Sequence, residues 1–163
     1  MKIYLAGPIF SEAGRNWLRD LKNRIEAFAG LKGKTAEVIF PYDLIDQDEV
    51  AALGAKGKYK IFEDCRSSLD SADILVAVLD GSQVDDGTAW EIGYFYARNQ
   101  DKAERIIGIR TDFRRAGENE YSKVNAMIEV ACDMIVDSTQ ELLSALADLI
   151  EVACPHCVDH LKS

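Results

Sequence analysis

The chain has 163 residues, of which 48% are apolar, and this length and composition fit one domain with a single hydrophobic core. Nineteen basic against 28 acidic residues leave a formal net charge of −9, which disfavours a nucleic-acid partner because affinity for a phosphate backbone needs clustered cations. The longest apolar run, residues 74–79, is far shorter than the ~20 residues of a membrane helix, and no signal-peptide pattern follows Met1, so we expect a soluble, cytoplasmic protein.

Strand-like apolar segments alternate with amphipathic segments of helical period, a pattern typical of an α/β fold with a parallel sheet between helices. The predicted strands are residues 3–6, 37–40, 74–79, 105–109 and 134–136. The predicted helices are residues 11–28, 59–69, 87–99 and 138–152. Ser11 is expected to cap the first helix, and the apolar character of residues 87–99 predicts a largely buried helix. Residues 43–58 and 111–122 are predicted to be long loops.

Ligands of an open parallel sheet bind beyond the carboxyl ends of its strands. The segment after the third strand is the richest in candidate groups, namely Asp80, Asp85, Asp86 and Glu91, with Gly81 and Gly87 leaving room for a ligand. Glu91 falls near the start of a helix, where backbone N–H groups favour an ionised carboxylate, as a nucleophile requires. The structural alternative is that Asp85 and Asp86 cap this helix while Glu91 is a solvated surface residue.

Two carboxyl groups around one cavity can cleave a glycosidic bond, one attacking the anomeric carbon while the other manages a proton on the leaving group. This chemistry needs no metal, and aspartates without a convergent histidine are a weak magnesium signal, so we expect neither a metal nor a cofactor. The sequence also lacks the glycine-rich fingerprints of dinucleotide and ATP sites.

Three segments resemble the nucleoside 2-deoxyribosyltransferase family: YLAGPIF at 4–10, SADILVA at 71–77 leading to Asp80 and Gly81, and VDDGTAWEIGY at 84–94. The similarity runs from residue 3 to about residue 136. It implies a flavodoxin-like, doubly wound sheet of five parallel strands in the order 2-1-3-4-5. It also implies transfer of 2-deoxyribose between nucleobases through a covalent sugar ester, with nucleosides and nucleobases as the small-molecule partners.

Water in place of the second base would turn the same chemistry into hydrolysis. An N-glycosidase acting on deoxynucleosides or their 5′-monophosphates therefore stays open as an alternative. A nucleotide-binding module without turnover is the alternative of another class. The sequence does not distinguish purine from pyrimidine substrates.

The resemblance assigns roles to individual positions. Glu91 occupies the position of the nucleophile, Tyr4 that of a tyrosine that positions it, and Asp85 that of an aspartate that helps to protonate the base. The remaining predicted substrate-binding positions are Gly7, Pro8, Asp64, Asp80, Gly81, Gly87, Asn125 and Met127.

Three of these positions carry further implications. Asn125 and Met127 resemble a segment that a neighbouring subunit contributes to the sugar pocket, which implies a homo-oligomer. A second aspartate of the family falls at Asp64 or Cys65, and Asp64 is the chemically sensible choice. The base-contacting amide of some members has no clear match, although Asp43 or Gln47 could replace it.

Two further motifs remain outside this interpretation. Residues 1–153 are expected to form the domain and residues 154–163 a tail whose Cys154-Pro155-His156-Cys157 motif is more consistent with a plain tail than with a redox or zinc site. The basic segment 110–115 could hold a phosphate, but ion pairs with Asp112 and other acids are the favoured explanation.

Overall fold

The computed structural model describes residues 1–99 and 105–152 and has an all-parallel, five-stranded sheet at its centre. The strands are β1 (Lys2–Ala6), β2 (Glu37–Ile39), β3 (Ile74–Val78), β4 (Arg105–Ile109) and β5 (Met134–Val136). They are arranged in the order β2-β1-β3-β4-β5. This order confirms the predicted flavodoxin-like α/β fold.

Helices cover both faces of the sheet, and most strands are followed along the chain by one or more helices. They are α1 (Glu12–Leu31), α2 (Pro41–Leu44), α3 (Gln47–Ala52), α4 (Gly57–Asp70), α5 (Asp86–Arg98), α6 (Ala126–Ala131) and α7 (Thr139–Val152). Ser11 caps α1 as predicted, since its side chain accepts a hydrogen bond of 3.0 Å from the Gly14 backbone N–H. Within the described residues, no helix combines the length and the apolarity needed to cross a membrane.

One expectation about the loops was wrong. Residues 43–58 are not a long loop, because α3, a 3-10 turn (Gly54–Lys56) and the start of α4 lie within them. The local cause is Asp46, whose side chain accepts hydrogen bonds from the N–H groups of Asp48 and Glu49 and so starts α3. Segment 111–122, in contrast, contains no helix or strand, as predicted. The predicted tail, 154–163, lies outside the described residues.

Helix α5 is also less buried than its apolar composition predicts. Thr88, Ile92 and Phe95 face the sheet and are buried, whereas Trp90 and Tyr96 are 45% and 44% exposed. The helix therefore turns one apolar side to the core and leaves another uncovered in the single chain.

Strand alternation divides the core between the two faces of the sheet. Ile3 and Leu5 of β1 point to the face covered by α1 and α7, where they pack in one cluster with Leu18 and Leu142. Tyr4 and Ala6 point to the opposite face, in a second cluster that contains Leu69 of α4 and Ile92 and Phe95 of α5. A tyrosine on β1 is thus directed at the helices that follow β2 and β3.

The segment after β1 packs closely on the first turn of α1. A Cβ atom added to Gly14 would lie 2.2 Å from the backbone oxygen of Pro8, which is well inside van der Waals contact. The absence of a side chain at Gly14 therefore lets the chain after β1 pass directly beside the helix.

We expect Gly14→Ala to destabilise the protein by about 1–3 kcal/mol, because backbone at Pro8 has to move to make room for the methyl group. Gly30→Ala, in the same helix but with no atom within 4 Å of the added carbon, is expected to stabilise it by about 0.5 kcal/mol. Urea unfolding of both variants measures the two effects. Equal signs for the two substitutions would contradict the packing argument.

Candidate active site

A hydrogen bond between β1 and α5 forms the centre of the site. The hydroxyl of Tyr4, which is fully buried, donates to Oε1 of Glu91 at 2.5 Å. Glu91 lies three residues after Thr88 and four before Phe95, both buried, so the helical period turns its side chain towards the sheet. Two predicted residues that are 87 positions apart in sequence are thereby in direct contact.

Helix α5 begins at the acidic segment that follows β3. Asp85 is its N-cap, and Oδ1 of Asp85 accepts from the Thr88 N–H at 3.2 Å. The capping alternative from the sequence is therefore confirmed for Asp85. Its carboxylate is nevertheless close enough to act electrostatically on Glu91, so capping and proximity to the site coexist in one residue.

Glu91 opens onto a cavity of about 340 Å³ between α4 and α5, which we call the Glu91 cavity. Its lining consists of Lys58, Ile61, Phe62, Cys65, Leu69, Gly87, Trp90 and Glu91. The Trp90 ring meets Phe62 edge-on at 5.3 Å and stacks on Tyr94 at 5.1 Å. The cavity therefore combines one carboxyl group with apolar and aromatic walls, a composition suited to a small organic ligand.

Burial governs the acidity of both partners in the central hydrogen bond. Removal from water raises the pKa of Glu91 to about 7, the nearby charge of Asp85 adds to this, and the hydrogen bond from Tyr4 opposes it. Desolvation therefore outweighs the preference for the ionised form that the helix start was expected to give. Burial and then the charge of Glu91 raise the pKa of Tyr4 far above its usual range, so Tyr4 remains a donor.

The sequence interpretation passed over one side chain of the site, Cys65. Its thiol lines the Glu91 cavity, and burial raises its pKa. Asp64, the residue chosen from the sequence, instead accepts a hydrogen bond of 2.6 Å from Lys60. The helical period could have found the difference, since Cys65 lies four residues from both Ile61 and Leu69 on the apolar side of α4.

Asp80 and Gly81 hold two loops together. The Asp80 carboxylate accepts hydrogen bonds from both backbone and side chain of Thr111 and from the Asp112 N–H, at 2.6–2.9 Å. Gly81 has a φ of +108°, which favours glycine, and its carbonyl accepts from Arg110 at 3.1 Å. These contacts give both residues a structural function, whereas their predicted contact with a substrate stays a prediction.

Arg110 is a buried cation bonded to carbonyl groups. Its guanidinium donates to the backbone oxygens of Leu79, Gly81 and Arg114, and the residue is only 3% exposed. Arg114 in turn forms a forked ion pair with Asp112, with N–O distances of 2.5–3.1 Å. The favoured explanation of this basic segment, ion pairing with Asp112, is therefore confirmed.

Gly7 and Pro8 lie at the end of β1, packed against α1. A Cβ atom on Gly7 would approach Leu18 to 2.9 Å, so the glycine permits close packing at this point. Asp43, a candidate for the base-contacting position, forms ion pairs with Arg19 at 3.4 Å and Lys22 at 3.2 Å.

Asn125 and Met127 lie away from the Glu91 cavity. Asn125 caps α6, accepting from the Met127 N–H at 3.0 Å, and its amide donates to Glu118. The two residues line a second cavity of about 610 Å³ between α5 and α6, together with Tyr96. Met127 and the nearby Val130 are 82% and 77% exposed, so α6 presents apolar side chains to its surroundings.

No group of three or more His, Cys, Asp or Glu side chains that could hold a metal occurs among the residues that the structure describes. The Cys154 and Cys157 motif lies outside them.

Comparison with known proteins gives three kinds of match. The family model described as Nucleoside 2-deoxyribosyltransferase matches residues 3–127. An uncharacterised protein of Ureaplasma parvum serovar 3 is 31% identical over 161 residues, which cover 91% of this chain and 96% of that protein.

Two solved structures share the fold. One is a conserved protein from Enterococcus faecalis, with a TM-score of 0.69 and 26% identity over 91% of this chain and 98% of that chain. The other is a 2-deoxyribosyltransferase from Bacillus psychrosaccharolyticus, with a TM-score of 0.63 and 21% identity over 88% of this chain and 90% of that chain.

The raised pKa of Glu91 predicts a pH-dependent cost in stability. Its carboxyl group has a pKa of about 7 when folded against 4.5 for the unperturbed group. The free energy of unfolding is therefore not reduced by this group below pH 4.5, and it falls as the pH rises from there through 7. We expect Glu91→Gln to raise the free energy of unfolding at pH 8 by about 2 kcal/mol, less than the full shift because the side chain keeps some contact with water.

At pH 5 the gain from Glu91→Gln should fall to roughly a quarter of its value at pH 8. Urea unfolding at the two pH values measures it, with the exposed Glu120→Gln as the carboxyl-to-amide control that changes little at either pH. A gain of equal size at pH 5 and pH 8 would contradict the assignment.

Proposed function

The chain belongs to the nucleoside 2-deoxyribosyltransferase family, and from this membership we propose that it transfers 2-deoxyribose between nucleobases with Glu91 as the nucleophile. The observation that carries the proposal is the hydrogen bond of 2.5 Å from buried Tyr4 to Glu91 at the wall of a cavity. Such an oriented, partly desolvated carboxyl group is the equipment for covalent catalysis at a sugar carbon.

In the first half-reaction, the carboxylate of Glu91 attacks C1′ from the face opposite the base. The bond between C1′ and the base nitrogen breaks, and the base leaves with its electron pair while it takes up a proton, in which Asp85 assists. In the second half-reaction, a nitrogen of another base attacks C1′ and gives up its proton with the assistance of Asp85, the bond from C1′ to Glu91 breaks, and Glu91 leaves as a carboxylate. Two inversions at C1′ give net retention.

Tyr4 contributes orientation and charge stabilisation. Its hydroxyl proton points at Oε1 of Glu91, so it favours the carboxylate both before attack and when the ester breaks. Because the pKa of Glu91 lies at about 7, we expect the attacking form to predominate only above neutral pH in the free enzyme.

Incubation with deoxyinosine and free adenine tests the proposed reaction. Formation of deoxyadenosine supports transfer, whereas hypoxanthine and free deoxyribose without deoxyadenosine would identify a hydrolase, and no product at all would leave a binding module. We expect Glu91→Gln to lower kcat by roughly 10³-fold or more while Glu120→Gln remains active.

Mass spectrometry after trapping with a 2-fluoro-2-deoxynucleoside locates the nucleophile. The sugar adduct is expected on a peptide that contains Glu91, and an adduct at any other residue would refute the assignment.

We propose further that the active form is a homo-oligomer in which Asn125 and Met127 reach the Glu91 cavity of a neighbouring subunit. Support comes from the exposed apolar side chains of α6 and α5, Met127, Val130 and Trp90, which a second copy would remove from water. Within one chain, Asn125 and Glu91 line different cavities, as an exchange between subunits requires.

Mixed oligomers test this exchange. We expect Glu91→Gln and Asn125→Ala each to be nearly inactive alone, and a co-expressed equal mixture to recover roughly a quarter of wild-type activity, because each site needs one intact group from each of two chains. Activity measurement with sedimentation of the mixture provides the readout. An inactive mixed oligomer, or full activity of Asn125→Ala alone, would contradict the proposal.

A further inference from the structure

A further cavity, of about 400 Å³, lies at the carboxyl ends of β4 and β5, and the proposed function does not use it. Its lining consists of residues 110–115, Lys123 and Asp137, and we call it the β4-loop cavity. It shares no lining residue with the Glu91 cavity or with the cavity between α5 and α6. A ligand bound there would therefore leave the Glu91 cavity of the same chain open.

The charges of the β4-loop cavity do not cancel. Four basic side chains and two carboxylates line it, in a chain whose formal net charge is −9. Asp112 forms the forked ion pair with Arg114 and lies 3.9 Å from Arg110, so two guanidinium groups share one carboxylate. Arg115 is exposed and forms no ion pair with any residue that the structure describes. The cavity is thus a local excess of positive charge on an acidic protein, which favours an anion.

Lys123 keeps donors for such an anion. Its ammonium group pairs with Asp137 at 2.5 Å, and the two side chains are 40% and 61% exposed. An exposed ion pair of this kind contributes little to stability, and an ammonium group has two further protons to donate. Lys123 can therefore donate to a ligand oxygen while it stays paired with Asp137.

The loop that carries these cations is fixed by hydrogen bonds within the chain. The Asp80 carboxylate accepts three hydrogen bonds from Thr111 and Asp112 at the start of the loop. Oδ1 of Asp112 accepts from the backbone N–H of Arg114 at 3.0 Å, and the carbonyl of Arg114 accepts from the guanidinium of buried Arg110. A site that is already ordered loses little conformational entropy when a ligand binds.

An aromatic ring lines the same cavity. Phe113 is 96% exposed. A single exposed phenyl group needs no explanation on its own, but this one shares a cavity with cationic side chains. Aromatic side chains bind nucleobases by stacking, and basic side chains bind phosphate by charge-assisted hydrogen bonds. The combination fits a ligand that has one planar ring and one phosphate group.

We propose that the β4-loop cavity is a second ligand site, which binds a nucleoside 5′-monophosphate with its phosphate against Arg115 and Lys123 and its base against Phe113. A volume of about 400 Å³ falls in the range of small-molecule sites, ~300–1,000 Å³. The nucleophile of the proposed reaction lines a different cavity, so the ligand is bound here without being consumed. The inference does not rest on the proposed function, and an enzyme without transferase activity leaves it intact.

Calorimetric titration with adenosine 5′-monophosphate (AMP) tests the site. This ribonucleotide is a stable probe because its 2′-hydroxyl disfavours positive charge at C1′ and so slows loss of the base. We expect AMP to bind the wild-type protein, and its Kd to rise roughly tenfold in Phe113→Ala and roughly fivefold or more in Arg115→Gln. Arg115→Glu, which reverses the charge, should weaken binding further than Arg115→Gln does.

Tyr121→Ala and Arg24→Gln are the matched controls, and both should bind AMP as the wild type does. Tyr121 is an 81% exposed ring on the same loop, Arg24 is an exposed arginine of α1, and neither lines the cavity. Phe113 and Arg115 are themselves exposed, so we expect thermal unfolding of their variants to match that of the wild type.

Two smaller probes separate the phosphate from the base. Inorganic phosphate and adenosine should each bind at least roughly tenfold more weakly than AMP, because each makes only one of the two contacts. Added salt should weaken the binding of AMP, since the phosphate contact is electrostatic. Inorganic phosphate that binds as tightly as AMP would identify a site for an anion only and would overturn the proposal.

Nitrogen-15 NMR locates the bound nucleotide. We expect AMP to shift the backbone N–H signals of residues 110–115 and Lys123, and to shift them less in Arg115→Gln. The side-chain N–H of Trp90 reports separately on the Glu91 cavity. The inference is overturned if AMP does not bind, if its effects are confined to Trp90, or if Phe113→Ala and Arg115→Gln both bind it as tightly as the wild type.

Discussion

Tyr4 and Glu91 connect the two elements that build the site, the central strand β1 and the helix α5. Helix α5 follows β3, the strand that pairs with β1. The alternation of β1 directs Tyr4 towards α5, and the start of α5 after the β3 loop directs Glu91 back towards β1. Neither side chain would be oriented without the other element, because the parallel order of β1 and β3 brings them together. The geometry of the site is therefore a consequence of sheet topology rather than of a local motif.

Most of the acidic groups around the site are held by backbone donors or cations. Asp80 is bonded to amides of the opposite loop, Asp85 caps α5 and Asp64 pairs with Lys60. Glu91 differs from them because it is bonded to a buried tyrosine hydroxyl and faces a cavity whose walls are largely apolar. The three aspartates thus serve local structure, whereas desolvation raises the pKa of Glu91 to about 7, a perturbation typical of functional sites.

The strand positions followed from runs of β-branched residues, which are a local property of the sequence, whereas the sheet order followed only from the resemblance to the family. Segment 43–58 was predicted poorly because α3 is short and rests on one cap, Asp46, rather than on an apolar period. Cys65 was passed over in favour of Asp64 because residue chemistry was given more weight than the helical period, in which one position is a turn of about 100°. The acidity of Glu91 depends on tertiary burial, which no nearby residue encodes.

The loops after β3 and β4 are constrained by the hydrogen bonds of Arg110, whereas the α4 wall of the Glu91 cavity tolerates substitution more easily. Backbone carbonyls on the loops after β3 and β4 accept hydrogen bonds from this guanidinium. A substitution in either loop therefore shifts main-chain atoms, and the shift is passed on to the other loop. The α4 wall contributes Ile61 and Phe62 through their side chains alone. Directed evolution of the Glu91 cavity would accordingly find its accessible steps on α4, with Glu91 itself left undisturbed.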